Sequence, residues 1–116
     1  MRVLFDHNTP VGIARALTGH EVTEAFQRGW EEASNGDLLT KAESAGFEVL
    51  LTADKNIRYQ QNLKHRKIAI IVLGNSTWHF VRPHLRSIVA AVNAATPGSY
   101  RHVEIPLPPK TPFRKA

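Results

Sequence analysis

Two aspartates stand where chemistry is easiest to build. Asp6 follows the short apolar run Arg2-Val3-Leu4-Phe5, and Asp54 follows Val49-Leu50-Leu51-Thr52-Ala53. A carboxylate directly after a buried strand needs a reason, because apolar strands bring their ends to the rim of a core. If the two strands are parallel neighbours, both acids leave the same edge of the sheet. They then lie close enough to share a hard cation or a bridging water. Two carboxylates brought together repel unless a proton or cation sits between them. Oxygen ligands of this kind suit Mg²⁺ or Mn²⁺, and such an ion can polarise a phosphodiester and activate water.

Asp37, just after Asn35-Gly36, is the third candidate acid. In the first turn of a helix it would equally serve the helix dipole. His7 is a candidate proton shuttle or an exposed loop residue. Asn8 and Asn56 are candidate amide ligands or turn residues, and an Asx turn is the plain alternative for Asp54. Lys55 is a candidate phosphate contact. With Arg58, Lys64, Arg66 and Lys67 it forms a basic stretch that follows Asp54 in sequence. Trp30 and Trp78 read as core or interface aromatics rather than as base-stacking platforms.

The elements that must position these groups alternate between strand and helix. Strand one covers Arg2 to Phe5. Thr9 then caps a helix with Pro10 in its first position, apolar along Ile13, Ala14 and Leu17 and ended by Gly19. Glu21 to Ala25 is a short second strand. Ser34 or Asn35 caps a helix to about Ala45, buried along Leu38, Leu39 and Ala42 and stopped at Gly46. Phe47 to Thr52 is strand three, and Ile57 to Leu63 a short helix. Ile68 to Leu73 is unbroken Ile/Val/Leu/Ala, the signature of burial on both faces of a parallel sheet. Pro83 lies near the start of a longer helix carrying Leu85, Ile88, Val89 and Val92, and Tyr100 to Ile105 forms a last edge strand. The pattern predicts an α/β fold, a small and mostly parallel sheet flanked by helices in three layers. In such sheets function collects outside the carboxyl ends of the strands.

The 116 residues suit one domain over residues 1–105, followed by a basic, proline-rich tail at 106–116. There is no cysteine, which excludes disulfides, thiolate metal sites and cysteine nucleophiles. The longest apolar run is too short for a bilayer, and a carboxylate comes too early for a signal peptide. The expectation is a cytoplasmic protein without membrane attachment. The net charge of +5 is divided unevenly: residues 1–54 hold nine acids and four Lys/Arg, residues 55–116 one acid and eleven Lys/Arg. An acidic half joined to a basic half suits a metal site beside a polyanion-binding surface, with RNA as the expected partner.

Asp6-His7-Asn8-Thr9-Pro10 resembles the Asp-Glu-Asn-x-Pro opening of compact PIN-like proteins regarded as toxin–antitoxin nucleases. Gly19-His20-Glu21-Val22, Gly29-Trp30 with Asn35-Gly36-Asp37, and Leu51-Thr52-Ala53-Asp54-Lys55-Asn56 resemble that family's following segments in order and spacing. Tyr59-Gln60-Gln61-Asn62-Leu63 resembles the continuation in one subgroup. The resemblance covers about residues 1–105. It implies a PIN-like fold, acids at Asp6, Asp37 and Asp54 that bind Mg²⁺ or Mn²⁺, and hydrolysis of RNA by a toxin held by an antitoxin protein. A second copy of the chain is a further candidate partner, as a homodimer. His7 stands where the family often has Glu, and Asn56 where many relatives have Asp. A site with three acids holds a cation less firmly than one with four, and leaves open whether it takes one ion or two.

Two other functions fit parts of the pattern. A non-catalytic PIN-like module would bind RNA or a protein through the basic half. A phosphoacceptor receiver-like domain also places acids after strands one and three. It normally has a second acid where this chain has His7, and a lysine after its last strand where this chain has Pro106.

Overall fold

The structure, a computed structural model, describes residues 1–55, 57 and 65–107. The strands are β1 (Arg2–Phe5), β2 (Glu21–Glu24), β3 (Val49–Thr52), β4 (Ala69–Leu73) and β5 (Tyr100–Val103). They form one sheet in the order β2-β1-β3-β4-β5. Every pairing is parallel: Val3 lies opposite Val22 and Val49, Leu50 opposite Ile70, and Val72 opposite His102. The fold class read from the sequence is the one found.

The apolar runs are continuous because both faces of the central strands are covered. On one face Val3, Phe5, Leu51, Ile71 and Leu73 meet Ile13 and Leu17 from the first crossover and Ile88, Ala91 and Val92 from the last. On the other, Leu4, Leu50, Ile70 and Val72 meet Leu38, Leu39 and Ala42 of helix α1 (Asn35–Ser44), together with Ile57. Ser34 caps α1, its Oγ accepting from the Asp37 N–H at 3.3 Å. No helix among the described residues is long and apolar enough to cross a membrane.

Two helices differ from the sequence pattern. The segment after Pro10 is a six-residue 3-10 helix, Val11–Ala16, and no side chain caps it. The Thr9 hydroxyl is held elsewhere, by a carboxylate and a strand carbonyl, so it cannot close the helix start. The segment around Pro83 begins earlier, as α2 (Trp78–Val81), tightens to 3-10 at Arg82–His84, and resumes as α3 (Leu85–Asn93). Proline lacks the N–H and crowds the carbonyl four residues back, which interrupts the helix at that point. Gly74, at the end of β4, is required by close approach: a β-carbon there would lie 2.9 Å from the Ile105 backbone nitrogen.

The strand order reverses direction at β1. From β1 the chain moves to β2 on one side, then returns to β3 on the other. The crevice beyond the carboxyl ends of β1 and β3 is therefore the switch point where an open parallel sheet binds its ligands.

Candidate functional site

A cleft of about 370 Å³ opens at that switch point. Asp6, His7 and Asn8 come from the end of β1, and Ala53, Asp54 and Lys55 from the end of β3. Trp30, Glu31, Asn35 and Leu38 close the third side. Asp6 is buried, while His7, Asn8 and Lys55 are exposed on the walls.

The Asp6 carboxylate is fixed by neutral donors. Its Oδ1 accepts from the Asn8 N–H at 3.2 Å and the Thr9 hydroxyl at 2.8 Å; its Oδ2 accepts a close contact from the Thr52 hydroxyl. The Thr9 Oγ1 also lies 2.7 Å from the Leu51 carbonyl oxygen, tying the loop after β1 to β3. One hydroxyl hydrogen serves two acceptors there, so it is shared between them or alternates. Thr52 in turn accepts the Asp54 N–H at 3.1 Å. A chain of hydrogen bonds thus runs from the Asp54 backbone through Thr52 to Asp6. The Asp54 carboxylate accepts from the Asn35 amide at 2.8 Å. Thr9 and Thr52 are buried with their hydroxyls satisfied.

Three of these residues were not legible as site residues in the sequence. Thr9 reads as a helix cap, Thr52 as an ordinary β-branched strand residue, and Asn35 as a cap or turn residue. The spacings that could reveal the two threonines are Asp6-x-x-Thr9 and Thr52-x-Asp54, each putting a hydroxyl close to a carboxylate or its backbone; Asn35, nineteen residues from Asp54, has no such signal.

Asp37 does not join the two acids. It is exposed in the first turn of α1, outside the cleft lining, where it complements the helix dipole. Among the described residues no group of three or more His, Asp or Glu side chains forms a metal cage. The basic stretch also divides. Lys55 is on the cleft wall, whereas Arg66 and Lys67 precede β4 and so lie toward the amino edge of the parallel sheet. The Arg66 guanidinium donates to Glu43 at 2.8 Å, Thr40 at 3.0 Å and the Gly36 carbonyl at 3.4 Å, which ties it to α1. Lys67 borders a separate groove with Met1, Glu48 and Pro97. Asn56, Arg58, Lys64, most of the helix expected at 57–63, and the tail from residue 108 lie outside the described residues.

The model of one protein family, described as a PIN like domain, matches residues 1–73. The chain belongs to the PIN-like domain family. The match spans β1 to β4 and so includes the whole described cleft. The PIN-like core does not end there structurally, since Val81, Ile88, Val92, Val103 and Ile105 share one apolar cluster with Val3, Phe5 and Leu51. Neither a curated protein nor a solved structure matches the chain. Membership points to a nuclease-type module.

Proposed function

We propose that this PIN-like domain is a metal-dependent ribonuclease whose centre is the cleft between Asp6 and Asp54. The observation that carries the reading is the Asp6 carboxylate, buried at the switch point, held by three neutral donors, and linked through Thr52 to the backbone of a second acid.

The donor set fits a hard divalent ion. Mg²⁺ is commonly bound by one or two carboxylates together with waters and substrate phosphate, not by a dedicated protein cage. Asp6 and Asp54 would hold it, with the Asn8 amide oxygen as a neutral addition. Hydrogen bonds to a ligating carboxylate fix its direction and tune its basicity, and Thr9, Thr52 and Asn35 are arranged for that. When bound, the ion would lower the pKa of a water and offset charge on the phosphate. Lys55 would bind a neighbouring phosphate oxygen, and His7 would exchange a proton with the leaving oxygen or with solvent. A toxin restrained by an antitoxin protein is the biological setting we propose for this activity.

A second reading has one observation in its favour. Asp37 stands away from the cleft, and among the described residues no three His, Asp or Glu side chains come together as a metal cage. A PIN-like module that binds RNA without cutting it would need no more. Cleavage of a mixed RNA pool with Mn²⁺, with EDTA, and by Asp6→Asn separates the two. The ribonuclease reading expects cutting only by the wild type with metal. RNA retained but never cut by the wild type, under any divalent ion, selects the binding module.

A further inference from the structure

The loop that carries Asp6, His7 and Asn8 into the cleft has a second face. Pro10, Val11 and Gly12 follow directly and line another groove, of about 610 Å³, with Arg15, Ser76 and Trp78. Ser76 and Trp78 follow β4 as Asp54 follows β3, so the groove opens toward the same carboxyl edge of the sheet.

Trp78 is held in a particular pose. A β-carbon built on Gly12 would lie 2.6 Å from Cη2, 2.8 Å from Cζ2 and 2.9 Å from Cζ3 of the indole. Near-equal distances to three consecutive ring atoms put that point above the ring face, not beyond its edge. One face of the ring therefore rests on the glycine backbone. The side chain is still 38% exposed, and Val11 beside it is 59% exposed. Arg15 is exposed on the groove wall, and among the described residues it enters no ion pair. No acid lines the groove.

We infer that the Trp78–Gly12 platform, flanked by Arg15, is a stacking subsite for an unpaired base of the RNA strand whose phosphate lies in the Asp6–Asp54 cleft. The inference rests on the ribonuclease reading for its strand and adds to it a subsite for one base splayed out of that strand. An indole backed on one side offers its other face to any base, since every base has a π-face. A neighbouring guanidinium, without a competing acid, suits the adjacent phosphate.

The test is binding in EDTA, where metal-dependent cleavage is silent. The probes are a fluorescent single-stranded oligoadenylate and an abasic ribose-phosphate strand of equal length. Trp78→Ala should weaken oligoadenylate binding by about 5-fold to about 150-fold, the range of base–aromatic stacking. It should leave the abasic strand's affinity unchanged. Gly12→Ala is the second variant: it keeps the indole but forces the ring off its seat, and should reproduce the loss in a protein with normal circular dichroism. Trp78→Phe should recover part of it. Arg15→Ala should lower affinity for both strands and reduce the salt slope by about one. Equal affinity of wild type, Trp78→Ala and Gly12→Ala for oligoadenylate overturns the subsite, and so does equal loss on both strands. Neither result touches the ribonuclease reading, which cleavage with Mn²⁺ decides. Base-dependent binding without cleavage under any ion leaves the subsite standing and removes the ribonuclease.

Discussion

The two edges of the sheet treat their acids differently. At the carboxyl edge, Asp6 is held by two hydroxyls and a backbone N–H, and has no cationic partner among the described residues. At the amino edge, Glu43 meets Arg66 at 2.8 Å and accepts the Lys67 and Ile68 N–H groups at 2.6 and 3.2 Å. Burial pushes the Glu43 carboxyl up. The Arg66 hydrogen bond, the two backbone donors and the Arg66 charge outweigh it and hold the group below the usual glutamate value. Neutral donors orient a carboxylate and leave its charge to attract something else. A guanidinium neutralises it. One edge keeps a field for a ligand, and the other uses its acid as a structural clasp between α1 and the start of β4.

The sharpest way to break this contrast is to neutralise one acid at each edge. Asp6→Asn should abolish metal-dependent RNA cleavage while the cooperative thermal transition remains, measured on the same samples by gel and by circular dichroism. Residual cutting that still needs Mn²⁺ would move the centre away from Asp6. Next in size is Thr52→Val, which keeps the shape and removes the hydroxyl on Asp6 Oδ2. Loss of such a supporting bond should lower Mn²⁺ affinity or activity by about 10- to 100-fold, read by titrating Mn²⁺ against cleavage rate. Wild-type Mn²⁺ dependence in this variant would mean that the hydroxyl does not orient the ligand.

Glu43→Gln should act on stability alone, costing about 1 kcal/mol near neutral pH with cleavage unchanged. A carboxyl with a lowered folded pKa contributes stability that is complete above its unfolded value, and that disappears as pH falls through the folded one. The wild type should therefore lose stability on acidification below the ordinary glutamate range, and Glu43→Gln should lose less there, measured by urea midpoints across that range. The smallest effect belongs to Lys67→Ala, whose side chain is exposed at the far edge. RNA affinity should stay level and stability within about 0.5 kcal/mol. A uniform fall in affinity would return Lys67 to the binding surface.

The layers, the parallel sheet and the placement of Asp6 and Asp54 at one edge were legible because each rests on local pattern: unbroken apolar runs, glycine stops, and an acid at each strand end. Which groups share an edge could not be read without knowing direction. Arg66 and Lys67 stand near Asp54 in sequence, yet a crossover carries the chain from the carboxyl edge of β3 back to the amino edge before β4 begins. Asp37 shows the same limit within one helical turn, where Asn35 enters the cleft and Asp37, two residues on, faces solvent. Thr9 was misread because a threonine before a proline serves equally as a cap or as a carboxylate donor, and only the neighbouring strand decides.

The order in which strands join the sheet has a consequence for synthesis on the ribosome. After β2 has taken one side of β1, each new strand extends the sheet on the other side: β3 on β1, β4 on β3, β5 on β4. A nascent chain can thus assemble outward without rearrangement, and the described lining of the acid cleft is complete once residue 55 has emerged. Until β5 arrives, β4 offers an open hydrogen-bonding edge on a strand buried at all five positions. Such an edge invites pairing with another chain. β5 ends that exposure, and its outward Arg101 and His102 give the finished rim charged and polar side chains that discourage further strands. The last strand made is thus the guard against aggregation, and a chain interrupted after Leu73 would carry its cleft but not its guard.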